Sequence, residues 1–214
     1  MTDGLILHDY WRSGAGYRVR IALNLKGLVY SRVTHDLRTG AQSAPSYVAK
    51  APQGLVPALE AQGQILTQSL AVIEWLEETY PEPPLLPRGA HARAIVRSMA
   101  HIVACDIHPL NNLRIVTALK TDLGAGPKEQ SRWINRWITD GFQALERLAQ
   151  DHGGAYLFGD QPSMADCCLV PQIFSARRFE VDLTAFPKLL QIEQTASLHP
   201  AFRAAEPTLQ SDCD

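Results

Sequence analysis

A proline-rich stretch near the middle of the sequence divides the chain into two parts of different character. Residues 81–87 read Pro-Glu-Pro-Pro-Leu-Leu-Pro, so four of these seven positions are proline. Proline has no backbone N–H and a fixed φ, so this run excludes a helix and predicts a stiff linker. We therefore expect two domains, residues 1–83 and residues 91–214, joined by a linker at residues 84–90.

The part before the prolines has the pattern of a mixed α/β domain. A short apolar run at residues 5–7 and an alternation of apolar and polar residues at 29–33 flank a helical pattern at residues 15–26. Strand, helix and strand in this order predict a βαβ unit with parallel strands. A hairpin with its turn at Gln62-Gly63 and a helix over residues 68–77 complete the predicted domain.

The part after the prolines is predicted to be helical. Residues 163–166, Ser-Met-Ala-Asp, form a capping-box pattern that predicts the start of one helix. The residues from Pro207 onward are polar, and we expect them to be loosely held. The other predicted helices cover residues 91–122 with an interruption at Pro109, residues 129–151, residues 187–197 and residues 200–205.

The composition limits the classes of function. The 214 residues carry a net charge of −2, which provides no global positive field for a nucleic acid. No apolar run reaches the roughly 20 residues that span a bilayer, and the first residues lack a signal-peptide pattern. We therefore expect a cytoplasmic protein with no membrane or nucleic-acid partner. The four cysteines lack metal-ligand spacing, so we expect plain thiols and no metal.

Residues 13–23, Ser-Gly-Ala-Gly-Tyr-Arg-Val-Arg-Ile-Ala-Leu, have the pattern of a ligand-binding helix start. They place a hydroxyl and two glycines after a strand and before an amphipathic helix. Such a turn presents unpaired backbone N–H groups and the positive end of a helix dipole. The hydroxyl of Ser13 is therefore suited to hold a thiolate, a carboxylate or a phosphate, and it also fits a simple helix cap.

Three further motifs, in order along the chain, make the sequence resemble a cytosolic glutathione transferase. Val56-Pro57 matches a proline that this family holds in the cis form. Gln68-Ser69 matches the pair that binds the γ-glutamyl carboxylate, and residues 163–166 match the internal capping box. The resemblance covers nearly the whole chain. It implies the glutathione transferase fold, with an α/β N-terminal thioredoxin-like domain and an all-α C-terminal domain, and a homodimer.

Within that family, Arg12-Ser13 followed by residues 17–23 is similar to the zeta class. Members of this class include maleylacetoacetate isomerase and maleylpyruvate isomerase. Residues 105–113, 169–172 and 176–183 carry the same resemblance. The class often has Ser-Ser-Cys where this chain has Ser13-Gly14-Ala15. The first serine is kept, but the second hydroxyl and the cysteine are absent, so their roles elsewhere do not carry over.

The resemblance implies a glutathione-dependent cis–trans isomerase of tyrosine and aromatic catabolism. Maleylacetoacetate is the first choice of substrate, with fumarylacetoacetate as the product. A thiolate that adds to the conjugated double bond leaves a single bond free to rotate, and its elimination restores the alkene in the trans form. Glutathione is then a cofactor that is not consumed. The alternatives are a maleylpyruvate isomerase of gentisate catabolism, a broader zeta-class transferase or dehalogenase, and a non-catalytic binding module.

Ser13 is the expected partner of the thiolate, because a hydroxyl donor and a helix N-terminus both lower the pKa of a thiol. The resemblance assigns the γ-glutamyl carboxylate to Gln68 and Ser69, and it assigns the cysteine of glutathione to the backbone of Val56. The weaker candidates for glutathione binding are Gln53, Gln42 and His108.

The dicarboxylate substrate needs a cation, and the resemblance favours Arg178, because a guanidinium binds a carboxylate through two parallel hydrogen bonds. Its neighbour Arg177 points about 100° away on a helix, so we expect only one of the two at the site. His108 and Asn112 are four residues apart, which places them on one helix face if Pro109 leaves the turn intact. The expected catalytic residues are Ser13 and Arg178, and the expected substrate-binding residues are Arg12, His108, Asn112 and Arg178.

Overall fold

The computed structural model of the protein describes residues 4–214, and they divide into two compact units. An α/β unit consists of the residues up to Leu85 together with Leu198–Asp214, and a helical unit consists of Leu86–Ser197. This division differs from the expected one, residues 1–83 and 91–214, mainly at the far end. The last residues of the sequence belong with the α/β unit and not with the helices that precede them.

The α/β unit is built around a four-stranded mixed sheet. Its strands are β1 (Leu5–Asp9), β2 (Tyr30–Thr34), β3 (Ala58–Ala61) and β4 (Gln64–Thr67), in the spatial order β2-β1-β3-β4. β1 runs parallel to β2 and antiparallel to β3, and β3 runs antiparallel to β4. The hairpin turns at Gln62 and Gly63, whose φ values of 51° and 72° suit a tight two-residue turn. The predicted βαβ unit and hairpin are thus confirmed.

Three helices accompany these strands in the first part of the chain: α1 (Gly14–Leu25), α2 (Pro45–Val48) and α3 (Ser69–Thr79). The predictions for α1 and α3 are confirmed with small shifts at their ends, whereas α2 is too short to show a helical period in the sequence. The core of the unit is apolar, and its fully buried residues include Leu7, Ile21, Leu23, Leu59 and Ile73.

The helical unit contains α4 (Ala90–His101), α5 (Leu113–Thr121), α6 (Pro127–His152), α7 (Met164–Arg178) and α8 (Pro187–Leu198). The interruption within residues 91–122 is longer than expected. α4 passes into a π-helical turn (Ile102–Ile107) and then a 3-10 turn (His108–Asn111) before α5 begins. Pro109 lies in the 3-10 turn, where its missing N–H and its ring prevent a continuous α-helix. None of the helices in residues 4–214 is long and apolar enough to cross a membrane.

The predicted capping box at the start of α7 is confirmed. Ser163 Oγ accepts a hydrogen bond from the Ala165 N–H at 3.2 Å, and Asp166 Oδ2 accepts one from the Ser163 N–H at 2.9 Å. Asp166 Oδ1 also accepts from the Leu157 N–H at 2.7 Å, which ties the helix to the preceding loop. Asp166 is fully buried, and this burial raises its pKa to about 6 although the hydrogen bonds oppose the shift.

The last residues of the sequence pack on the α/β unit, so the expectation of a loosely held tail is wrong. Helix α9 (Pro200–Ala205) contacts α1, and a 3-10 turn (Pro207–Leu209) follows with Pro207 buried. Beyond this turn, Gln210 Oε1 accepts a hydrogen bond from Arg32 Nη1 at 3.0 Å. Polarity alone suggested exposure because the sequence pattern does not show which distant groups the polar side chains bind.

Candidate active site

Three strand ends lie side by side at one edge of the sheet. His8 of β1 pairs with Ala58 of β3, and Ala58 pairs in turn with Thr67 of β4. The segments that leave the sheet there are the ones expected to bind glutathione: Ser13 after β1, Val56-Pro57 before β3, and Gln68-Ser69 after β4.

Ser13 caps α1 and leaves the helix start rich in donors. Its Oγ accepts a hydrogen bond from the Gly16 N–H at 3.1 Å, and a hydroxyl that accepts still has its own proton to donate. The N–H groups of Gly14 and Ala15 have no hydrogen-bond partner in the described part of the chain. The first turn of α1 contains no acidic residue. This half-buried position therefore offers three donors to an anion.

A buried carboxylate packs against the same helix start. Asp9, fully buried at the end of β1, lies 2.5 Å from Arg20 Nη1 and 3.4 Å from Arg32 Nη2. A Cβ atom at Gly16 would come within 1.7 Å of Asp9 Oδ1, so this position requires glycine. The two arginines offset the negative charge that Asp9 brings close to the start of α1.

The Val56-Pro57 segment presents unpaired backbone. Its peptide bond is cis, as expected. Tyr47 OH donates to the Leu55 carbonyl at 2.7 Å, and burial raises the pKa of Tyr47 to about 12, so this donor stays protonated. The N–H and C=O of Val56 make no hydrogen bond among residues 4–214. Free groups of this kind can pair with an extended peptide as an added strand does.

The start of α3 brings two predicted glutamines together. Gln68 has a φ of 68°, and a left-handed backbone is uncommon for a residue other than glycine and is concentrated at functional sites. Its Nε2 donates to Gln53 Oε1 at 2.6 Å, and both side chains are exposed. Ser69 is buried and begins the helix, and its Oγ accepts from Arg18 Nη1 at 3.2 Å.

Arg18 is a candidate site residue that the sequence pattern does not reveal. It lies in α1 with only 2% of its surface exposed, although arginine on an amphipathic helix is usually on the solvent face. Its guanidinium places a positive charge beside Ser69, where the γ-glutamyl carboxylate is expected. The only sequence signal for it was the zeta-class resemblance of residues 17–23.

Arg12 is the one expected substrate-binding residue in the α/β unit. It is half-buried beside Ser13, and its guanidinium carbon lies 5.4 Å from the centroid of the Trp11 ring. This arrangement is a cation–π contact. The other expected substrate-binding residues, His108, Asn112 and Arg178, belong to the helical unit.

Asn112 does not share a helix face with His108, because the condition for that expectation, an intact helical turn at Pro109, is not met. His108 begins the 3-10 turn and is half-buried, whereas Asn112 has an extended backbone with a ψ of 148° and caps α5. Its Oδ1 accepts from the Arg114 N–H at 3.1 Å. Because Pro109 tightens the chain after His108, the two side chains lose the spacing of a regular helix.

The two arginines at the end of α7 have different partners. Arg177 forms a bidentate ion pair with Glu193 of α8, in which Nη2 donates to Oε2 at 2.7 Å. Arg178 is exposed, and its guanidinium carbon lies 4.4 Å from the centroid of the Phe179 ring. Arg177 is therefore committed to a contact between helices. Arg178, which the family resemblance favours, stays the predicted residue for binding a carboxylate.

A groove of about 550 Å³ lies in the helical unit beside the first turns of α6. Lys128, Arg132 and Glu180 contribute charged groups to its lining, and Phe179 contributes an apolar surface. None of the predicted substrate-binding residues lines this groove, although Phe179, whose ring Arg178 contacts, does.

Two family models match the chain. One is described as glutathione S-transferase, N-terminal domain, and matches residues 7–84; the other is described as glutathione S-transferase, C-terminal domain, and matches residues 131–204. Together they cover more than half of the sequence. The chain belongs to the glutathione S-transferase family.

Curated relatives match along almost the whole length of this glutathione S-transferase. Maleylpyruvate isomerase of Ralstonia sp is 47% identical over 208 residues, which cover 96% of this chain and 98% of the relative. Maleylacetoacetate isomerase of Rhizobium meliloti (strain 1021) is 46% identical over 209 residues, which cover 97% of this chain and 98% of the relative.

Solved structures extend the comparison. A holo structure of maleylpyruvate isomerase, described as a bacterial glutathione S-transferase in the zeta class, has a TM-score of 0.95 and 46% identity and covers 98% of this chain and 100% of that one. A second structure is maleylacetoacetate isomerase from Anaeromyxobacter dehalogenans 2CP-1, with glutathione bound in its active site. It has a TM-score of 0.89 and 38% identity, and the match covers 99% of this chain and 98% of that one. The chain is a zeta-class enzyme with glutathione as its cofactor. The expected thioredoxin-like domain and all-α domain are confirmed.

Proposed function

We propose that this zeta-class enzyme is a glutathione-dependent cis–trans isomerase that converts maleylacetoacetate to fumarylacetoacetate in tyrosine catabolism. The observation that carries the proposal is the sheet edge shared by Ser13, Val56 and Gln68-Ser69. A donor cluster, an unpaired backbone segment and a helix start suit the thiolate, the backbone and the carboxylate of one tripeptide.

Ser13 has the central role in the proposed reaction. When bound, glutathione supplies a thiolate that adds reversibly to the conjugated double bond of the substrate. Ser13 keeps that sulfur ionised by donating its hydroxyl proton in a hydrogen bond, and the Gly14 and Ala15 N–H groups add positive potential. Because this chain lacks the second hydroxyl of Ser-Ser-Cys relatives, its backbone donors carry more of the stabilisation.

The remainder of glutathione binds along the sheet edge. Gln68 and the hydroxyl of Ser69 hold the γ-glutamyl carboxylate, and the buried guanidinium of Arg18 supplies the opposite charge. Gln53 orients the Gln68 amide through their 2.6 Å hydrogen bond. Val56 pairs its backbone N–H and C=O with the cysteine of glutathione.

The helical unit supplies the principal cation for the dicarboxylate substrate. Arg178 grips a substrate carboxylate through two hydrogen bonds, whereas Arg177 stays with Glu193. Asn112 contributes through its amide nitrogen, since its oxygen caps α5. The further candidates for contacts at the site are Arg12 and His108, and His108 is also a candidate for contacting glutathione.

The direct test uses the purified protein with maleylacetoacetate, with and without glutathione. We expect isomerisation only when glutathione is present, and we expect the glutathione concentration to be unchanged after complete conversion. Consumption of one glutathione per turnover would identify a transferase or dehalogenase instead. Equal turnover without glutathione would overturn the mechanism, and failure to bind glutathione would favour a non-catalytic binding module.

Maleylpyruvate is the second candidate substrate. The relatives named for the two substrates are 47% and 46% identical to this chain, a difference too small to separate them. The same assay is therefore run with maleylpyruvate. A higher kcat/KM for maleylpyruvate would reassign the substrate, and with it the pathway, to gentisate catabolism.

Arg178→Ala and Arg177→Ala form a matched pair that tests the proposed carboxylate contact. We expect Arg178→Ala to raise the KM for the diacid about tenfold, because a hydrogen-bonded charge pair is lost. Arg177→Ala breaks only the ion pair with Glu193, so the KM is expected to stay unchanged. An unchanged KM in the Arg178 variant would remove this residue from the substrate site.

The proposal also includes a cytoplasmic homodimer with a division of labour between its two domains. The α/β unit binds glutathione and the helical unit binds the diacid, as the family resemblance implies. Size-exclusion chromatography with light scattering is expected to give twice the chain mass of 23.6 kDa. A mass equal to one chain would contradict the dimer.

A further inference from the structure

The last residues of the sequence contact the loop that carries Ser13. Residues 10–13, here called the Ser13 loop, connect β1 to α1. The N–H of Trp11 donates to Asp212 Oδ2 at 2.9 Å, a contact that spans 201 positions of sequence. The tail therefore reaches the backbone two residues before Ser13.

Asp212 is itself held in a defined place. Its Oδ1 accepts from Arg32 Nη2 at 2.8 Å, and the side chains of Arg32 and Asp212 are only 14% and 13% exposed. Arg32 also lies 3.4 Å from the buried Asp9. An ion pair shielded from solvent in this way is stronger than one on an open surface.

The Ser13 loop is also held from the side of α1. The carbonyl of Trp11 accepts from Arg20 Nη2 at 3.0 Å, and the N–H of Ser13 donates to the carbonyl of Tyr10 at 2.9 Å. Both backbone groups of Trp11 are therefore engaged. Asp212 supplies the contact that comes from the far end of the sequence.

We propose that Asp212 is a positioning residue for Ser13. By accepting the Trp11 N–H, it holds the Ser13 loop in the conformation that presents the Ser13 hydroxyl to the sulfur of glutathione. This inference rests on the proposed function. Hydrogen-bond strength depends steeply on distance and angle, so a small shift of the loop weakens the contact to the thiolate.

Removal of Asp212 changes the pKa of the glutathione thiol in opposite directions according to whether Asp212 acts through its charge or by positioning Ser13. Asp9 and Asp212 face Arg20 and Arg32, so two negative groups balance two positive ones. Removal of Asp212 leaves an excess positive charge near the start of α1, which lowers the pKa of a nearby thiol by Coulomb attraction. A displaced Ser13 hydroxyl raises that pKa. The direction of the change therefore separates the two effects.

The test compares three variants of the full chain. One measurement is the thiol pKa of glutathione bound to the enzyme, followed through the ultraviolet absorbance of the thiolate. The other measurements are kcat and KM. Asp212→Ala removes the hydrogen bond and the charge, and Asp212→Asn keeps an acceptor for the Trp11 N–H without the charge. Asp214→Ala is the matched control, because Asp214 is an exposed tail carboxylate that pairs with Arg38.

We expect Asp212→Ala to lower kcat about tenfold and to raise the pKa of the bound thiol, with little change in the KM for glutathione. Asp212→Asn is expected to restore most of kcat, and Asp214→Ala to match the wild type. A lowered pKa in Asp212→Ala, or a kcat in Asp212→Asn as low as in Asp212→Ala, would overturn the positioning role. Wild-type protein that binds no ionised glutathione would refute the proposed function instead.

Discussion

The starts of α1 and α7 have similar sequences, but α7 has a carboxylate acceptor within the protein, whereas α1 has unpaired N–H groups that suit a ligand. Residues 13–16 read Ser-Gly-Ala-Gly and residues 163–166 read Ser-Met-Ala-Asp, with the serine at the N-cap in both. The fourth residue differs in the decisive way. Asp166 supplies a side-chain carboxylate at the start of α7, whereas Gly16 has no side chain and supplies none at the start of α1.

The contrast has a physical cause in the packing around the fourth residue. At α7, Asp166 accepts from the N–H groups of Ser163 and Leu157, so these two donors are satisfied within the protein. At α1, a side chain at Gly16 is excluded because Asp9 Oδ1 occupies its space. The start of α1 therefore has no carboxylate of its own at this position, and its Gly14 and Ala15 N–H groups, unpaired within residues 4–214, stay open to an anion from outside.

The largest effect is expected from Gly16→Ala. The new Cβ would force Asp9 out of its buried ion pair with Arg20, and breaking such a pair costs about 3–5 kcal/mol. Urea denaturation is expected to report a loss of this size in the free energy of unfolding. Gly4→Ala is the control, because its Cβ meets nothing within 4 Å. Equal losses in the two variants would contradict the close approach.

Asp166→Ala is expected to lower the free energy of unfolding by about 3 kcal/mol, because the buried N–H groups of Ser163 and Leu157 lose their acceptor. Activity per folded molecule is expected to stay at the wild-type level. Asp182→Ala serves as the control, since Asp182 also accepts a backbone N–H, from Thr184 at 2.9 Å, but on the surface. If Asp166→Ala is no less stable than Asp182→Ala, the closed helix start does not depend on this carboxylate.

Ser13→Ala and Ser163→Ala test whether the two caps differ in role. Each is expected to cost about 1 kcal/mol of stability as a lost cap. Only Ser13→Ala is expected to lower kcat, by about 100-fold, because it removes a donor to an anion in the active site. Equal losses of kcat would break the comparison, and an unchanged kcat in Ser13→Ala would assign the thiolate to backbone N–H groups alone.

The closed helix start is also expected to show a pH dependence. Burial raises the pKa of Asp166 from 3.8 to about 6, so the folded state binds the proton more tightly than the unfolded state does. Its contribution to stability is fully present below pH 3.8 and is lost as the pH rises through about 6, by about 1 kcal/mol per pH unit. Asp166→Asn is expected to be less steep over this range in urea titrations. An identical slope would show that Asp166 does not titrate there.

Much of the fold was accessible from local patterns. The strand–helix–strand order, the Gln62-Gly63 turn and the Ser163 capping box each depend on residues close together in sequence, and each prediction is confirmed. The three segments predicted to bind glutathione lie at one edge of the sheet, and their role in binding stays a prediction from the family resemblance. The fit of Ser13 and Val56 to their roles rests on donors that the structure leaves unpaired.

The errors arose where distant or irregular contacts decide. Asn112 was expected on a helix face with His108, but the 3-10 turn at Pro109 separates them. The sequence pattern also does not show Glu193, the partner of Arg177 on another helix, and the expectation that Arg178 binds the substrate stays a prediction. A period of 3.6 residues describes a regular helix and carries no information about these neighbours.

Helices, strands, caps and the linker each carry a pattern of residue types over a short stretch of sequence, and for this reason the sequence was enough to identify them. Only the tertiary structure shows three other features. They are the burial of Arg18, the requirement for glycine at position 16, and the hydrogen bond from the Trp11 N–H to Asp212. Each of these three features joins segments that are separate in sequence. Bringing distant segments together costs conformational entropy, and burial of the whole core offsets that cost. A local sequence pattern therefore does not predict these features.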